Sequence, residues 1–214
     1  MKFALIDYAI NCERITPVPV NDEHLPNMNY RGEKKDRDSA AVIFYVNKKK
    51  GDTRLTDGIG SASFDSNCIV IESSGYNAAQ NIPHTQEDSV KNIVSATDIL
   101  LGIMCKYDKA SINTMKKFKV YSVQLIQKKM SLVQYSLKNR TTWKAVECGS
   151  AEIPLVHSDK RKMLKVLDLF AYVYHEIRLQ KGYFDELESE HLGLKEQLKE
   201  DMVGPFSSFI ELLR

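Results

Sequence analysis

The 214-residue chain is short of structure breakers, with 10 Gly and 6 Pro and no repeat or low-complexity tract. That excludes a collagen-like or largely disordered chain. It also lacks a charge excess: the formal net charge is +2 and the isoelectric point is near 8.2. Neither a strong polyelectrolyte binder nor an acidic solvating chain has that balance. Cysteine is sparse, and Cys12, Cys68, Cys105 and Cys148 are scattered without a C-x-x-C pair or zinc-site spacing. The expectation is free thiols in a reducing compartment, hence an intracellular protein, cytoplasmic or nuclear. No apolar run approaches 20 residues, and Asp7 interrupts the short apolar stretch that follows Lys2, so neither a signal peptide nor a membrane span is expected. P-loop, dinucleotide, H-E-x-x-H and G-x-S-x-G sequences are all missing, and with them the usual signs of P-loop phosphoryl transfer, hydride transfer and serine hydrolysis.

What is present is the composition of one folded core, with 43% hydrophobic and 27% charged residues. The charge is unevenly spread. Between Lys106 and Lys129 seven lysines face one acid, Asp108, whereas from Tyr183 to Asp201 seven acids face Lys195 and Lys199. Runs of this kind either cover a solvated surface or meet a partner of opposite charge.

Along the chain, residues 1–36, with Pro17, Pro19, Pro26 and the polar run Arg31 to Asp38, read as an irregular arm or strand-loop. Residues 37–182 read as an α/β domain. Ser39 to Val46 is a short helix or strand, and Arg54 to Ser63 with Cys68 to Ser73 forms a β-hairpin. Cys68-Ile69-Val70-Ile71 is apolar on both faces, which predicts a central covered strand with Glu72 where it emerges. Thr85 to Asp88 reads as a capping box opening a helix to about Tyr107. Strands follow at 119–126, 130–137 and 142–153, then a helix over 159–180 capped by Ser158. Residues 183–214 read as an acidic helical tail with Leu187, His191, Leu194 and Leu198 at heptad-like spacing, weakened at Gly193.

Two acids stand out chemically. Asp57, in Thr56-Asp57-Gly58, and Glu72, in Ile71-Glu72-Ser73-Ser74, lie on the two arms of the hairpin, where their carboxylates can converge. Paired carboxylates suit Mg²⁺, a hard cation that takes oxygen ligands and activates water for phosphodiester cleavage. Asp57 followed by Glu72-x-Ser74 resembles the PD-(D/E)XK nuclease superfamily, in which an Asp is followed by Asp or Glu, any residue, and Lys. The stretch from Arg54 to about Gln180 also resembles a group of multicopy proteins of early-diverging fungi that carry no established activity. The resemblance implies a central mixed sheet flanked by helices, with a restriction-endonuclease-like core.

The superfamily's lysine helps position the attacking water and stabilise charge, and here Ser74 stands in its place without a positive charge. Lys91, on the helix after the hairpin, is the candidate replacement, and its alternative is an ordinary exposed helix lysine. Gln124 and Ser122, on one face of a strand, line the site or bond to backbone beneath a helix end; His84 is a phosphate-binding candidate. Lys116, Lys117, Lys119, Lys128 and Lys129 are the lysines expected to meet nucleic-acid phosphates.

Three functions follow. The expectation ranked first is a nuclease fold without cleavage, serving as a nucleic-acid or protein-binding module, because a fold does not fix a function. The second is a Mg²⁺-dependent nuclease using Asp57, Glu72 and Lys91. The third is a protein-interaction subunit that binds a partner, or a second copy, through 183–214.

Overall fold

Alternating apolar residues and two tight turns carry most of the chain into one sheet. The computed structural model describes residues 29–35, 55–62, 66–74, 82–196 and 198–204, with the backbone alone for 29–35 and 82–85. Six strands lie side by side in sequence order: β1 (Asn29–Lys35), β2 (Leu55–Ser61), β3 (Asn67–Ser73), β4 (Lys119–Ile126), β5 (Lys129–Asn139) and β6 (Thr142–Glu152). All neighbours are antiparallel except β3 and β4, which are parallel and therefore need a crossover. Helix α1 (Ile82–Lys106) supplies it, and α2 (Ile112–Met115) leads into β4. Helix α3 (Lys162–His191) closes the domain. This is an α/β fold built on a mixed sheet.

Successive residues of β4 point to opposite faces, and that assigns the layers. Gln124 reaches Ser89 on α1, whereas Lys119 and Tyr121 reach Glu176 on α3. The two helices therefore cover opposite faces of the sheet. Val70, Leu100, Met104, Phe118, Val120 and Tyr121 are wholly buried between the layers. Each such side chain contributes about 1.5–3 kcal/mol relative to exposure. The covered central strand expected at Cys68 to Ile71 is present, with Cys68, Ile69 and Val70 buried between β2 and β4. Among the described residues no helix is long and apolar enough to cross a membrane. Cys68, Cys105 and Cys148 are free thiols, and burial with the nearby charge of Asp108 pushes Cys105 up to about 12.

Several expectations differ from the structure. Residues 29–35, within the segment expected as an irregular arm or strand-loop, form edge strand β1; the polar sequence Asn29 to Lys35 has no apolar alternation, and only its pairing with β2 defines it. Helix α1 begins at Ile82, three residues before Thr85, so Asp88 lies within the helix and does not cap it. Ser158 belongs to a short 3₁₀ turn, His157–Asp159, and makes no side-chain cap bond to the longer helix behind it. The segment Ser39 to Val46 lies outside the described residues.

The acidic run changes meaning most. Helix α3 continues without a break through residue 182, and Phe184, Leu187 and Glu190 are buried in the domain's own core, whereas Leu194 and Leu198 are exposed. The four heptad-spaced residues therefore do not share one outward face. Gly193 ends the helix: with φ +76 it adopts the left-handed conformation, its N–H donates to Glu190 and the N–H of Leu194 to Ser189. That pattern is a Schellman C-cap, where glycine is favoured.

The basic run meets the last helix within the chain: Lys117 pairs with Glu186 of the acidic run at 3.1 Å, and Lys119 with Glu176 just before that run, while Lys195 takes the other oxygen of Glu186 at 3.5 Å. The bond from Lys119, against some desolvation, holds the Glu176 carboxyl below the usual glutamate range. A carboxyl so depressed adds stability above the ordinary glutamate pKa and loses it as pH falls through the lowered value. Glu176→Gln is thus expected to destabilise the protein by about 1.5–3 kcal/mol at neutral pH. The deficit should shrink as pH falls below the ordinary glutamate range and through the lowered value of Glu176, which urea titrations across pH measure.

Candidate active site

The hairpin brings Asp57 and Glu72 together by register. The β2–β3 ladder ends where Gly58 pairs with Ile71, so Asp57 and Glu72 are the next residue along each strand. One Asp57 oxygen accepts the N–H of Ser73 at 2.7 Å, so the carboxylate rests against the peptide just after Glu72. Glu72 is 4% exposed and aligns with Gln124 on parallel neighbour β4. Gln124 in turn donates to Ser89 Oγ of α1 at 2.6 Å. The face shared by Glu72, Ser74 and Gln124 is therefore the one that α1 covers.

The first turns of α1 complete the cluster. Ser74 Oγ donates to one oxygen of Asp88 at 2.7 Å, and Lys91 Nζ donates to the other at 3.3 Å. Asp88 is 2% exposed, and Lys91 also pairs with Glu87 at 3.5 Å. Burial lowers the Lys91 pKa, but the hydrogen bond to Asp88 and the charges of Asp88, Glu87 and Glu72 outweigh it and hold the ammonium above its ordinary value. Lys91 is therefore a cation throughout the neutral range, within electrostatic reach of Glu72. One turn further along the same stripe, Asn92 is 2% exposed and neither amide atom has a hydrogen-bond partner. A buried amide of that kind is usually satisfied by ordered water.

Glu72, Asp88 and Lys91 thus gather where α1 covers one end of the sheet, with Asp57 bonded to the peptide just after Glu72. Asp88, expected in the capping box, is instead a site residue within α1. Its signal was the spacing Asp88-x-x-Lys91, which sets both side chains on one helix face. Ser122 is buried and bonded to Tyr135 in the core, away from Gln124's contacts. The side chain of His84 lies outside the described residues.

The lysines divide. Lys116, Lys117 and Lys119 stand at the start of β4, with Lys117 and Lys119 paired to α3, whereas Lys128 and Lys129 stand at the far end beside the turn into β5. Eight strand residues separate the groups by about 26 Å. Only Lys128 and Lys129 share the end of the sheet that carries Glu72, since Ser73 aligns with Leu125.

For Mg²⁺ the donor set is chemically apt, because both Asp57 and Glu72 offer carboxylate oxygen and the ion commonly takes one or two carboxylates with waters and substrate phosphate. Among the described residues no group of three or more His, Cys, Asp and Glu side chains is gathered to hold a metal. Compared with known proteins, the chain matches no family model, no curated protein and no solved structure.

Proposed function

We propose that the chain is a magnesium-dependent nuclease in which Lys91 supplies, from the crossover helix, the positive charge that Ser74 lacks. The observation that carries this reading is the link Ser74–Asp88–Lys91. The serine at the vacant lysine position is tied through one buried carboxylate to an ammonium that feels the charge of Glu72. The mixed sheet with helices on both faces, and Glu72 at the end of a central strand, supports the resemblance to the PD-(D/E)XK superfamily.

Asp57 and Glu72 would hold the metal. Mg²⁺ bound there supplies an activated water and offsets phosphate charge. The chain's own groups have separate tasks. Lys91, fully protonated, offsets the charge that grows on the phosphoryl oxygens and orients water, and its raised pKa makes it a poor proton acceptor. Asp88 positions the Lys91 ammonium, while the Ser73 N–H fixes the rotamer of Asp57. Gln124, held by Ser89, stands beside Glu72 on the β4 side.

A second reading, binding without cleavage, is favoured by Ser74 itself, whose hydroxyl is already engaged by Asp88. The two separate when the purified full chain is incubated with end-labelled single- and double-stranded oligonucleotides in Mg²⁺ or in EDTA. Cleavage that needs Mg²⁺ and stops in EDTA is expected. Retained binding with no cleavage in Mg²⁺ or Mn²⁺ would contradict it and leave the binding module.

A further inference from the structure

At the same end of the sheet, the β4–β5 turn, the end of β6 and the first turns of α3 line an open cavity of about 850 Å³. Its lining includes Lys128, Lys129, Lys162 and Lys165 against one acid, Glu152, a net of +3. Lys162 is already engaged by Glu152 at 3.1 Å and by Asp159 at 3.2 Å. Among the described residues, Lys128, Lys129 and Lys165 form no ion pair. Three of the four ammonium groups thus remain for a ligand.

The wall is held in place. Gln127 has φ +53, a backbone conformation uncommon outside glycine, and the Lys128 carbonyl accepts the N–H of Ile153 at 2.7 Å. The turn that presents Lys128 and Lys129 is therefore pinned to the end of β6. Cavities of a few hundred to a thousand cubic ångströms suit ligand groups, and a lining rich in lysine favours anions. Gln124, beside Glu72, precedes Lys128 by four residues, no more than about 14 Å of chain.

We propose that this cavity is a phosphate subsite, taking the backbone of a single nucleic-acid strand that passes round the end of the sheet from the Asp57–Glu72 centre, under α1, to the side that α3 covers. The assignment of the strand rests on the nuclease reading; the anion preference rests on the lysines alone. Lys116, Lys117 and Lys119, at the other end of β4, take no part in it.

The test is fluorescence anisotropy of a labelled single-stranded oligonucleotide with the full-length chain in EDTA, where no cleavage interferes. Lys128→Gln/Lys129→Gln/Lys165→Gln is expected to weaken binding at least about tenfold and to lower the slope of log affinity against log salt by about 2. The control Lys116→Gln/Lys117→Gln should change affinity less than about twofold. Circular dichroism confirms that the exposed substitutions leave the fold intact. Lysine-dependent binding supports the subsite even if the wild-type protein cleaves nothing, so the two readings fail separately. Unchanged affinity in the triple variant, or an equal loss in the control, overturns it. So does a wild-type chain that binds inorganic pyrophosphate through these lysines but no oligonucleotide, which would make the cavity a small-anion site.

Discussion

Glu72→Gln is expected to reduce magnesium-dependent cleavage by about 10²- to 10³-fold, while leaving oligonucleotide binding in EDTA within about twofold. The substitution keeps the shape of a side chain that is 4% exposed and removes the charge that a hard cation requires. It separates catalysis from folding by a second readout. A ligand that binds only the folded state raises the melting temperature by mass action, so Mg²⁺ should stabilise the wild-type chain and have no such effect on Glu72→Gln. Asp57→Asn should behave alike, although its half-buried carboxylate also accepts the Ser73 N–H, a bond that an amide oxygen can keep. Activity lost together with the melting transition in both variants would point to a structural role.

The second large effect concerns stability. Glu190→Ala is expected to destabilise the domain by about 3 kcal/mol, because its carboxylate closes the end of α3 onto the start of α2. One oxygen accepts the N–H of Ser111 and the other the hydroxyl of Thr114, both at 2.9 Å. Glu190, Ser111 and Thr114 are all nearly inaccessible, at 5%, 6% and 3% exposure. Removal of the carboxylate leaves a buried N–H and a buried hydroxyl with no replacement, and water cannot reach them readily. Glu190→Gln keeps one acceptor oxygen and should cost about half as much. Urea unfolding followed by circular dichroism measures the difference; equal stability of all three proteins would show that the clamp contributes nothing.

That clamp also shows where sequence reading stopped. The strands of the β2–β3 hairpin and of the β4–β5–β6 meander were legible because alternation and turn residues are local properties. Glu72 could be placed at the end of a covered strand for the same reason. The start of α1 was set too late because Thr85 offered a capping pattern, although Pro83, a residue tolerated in a first helical turn, pointed to an earlier start. Asp88 was consequently taken for a cap when it links Ser74 to Lys91. Opposite charge runs suggest two outward faces, yet Lys117 meets Glu186 of the acidic run, and Lys119 meets Glu176 just before it, across 69 and 57 residues of chain. Contacts of that separation leave no periodic signal in either segment. Gly193 was similarly read as a flaw in a longer helix, and only its positive φ identifies it as the residue that ends one.

The central claim is that Lys91 does from the helix what a lysine at position 74 would do from the strand. Charge relocation tests it most directly. Cleavage rates in Mg²⁺ should be compared for the wild-type chain, Lys91→Met, and Lys91→Met combined with Ser74→Lys, with each variant's folding verified by its thermal transition. Lys91→Met is expected to lower the rate by about 10²-fold, and Ser74→Lys in that background to recover at least about tenfold of it, since the ammonium returns to the Glu72 side of Asp88. A Lys91→Met variant that cleaves as fast as wild type, or a folded double variant with no recovery, contradicts the account.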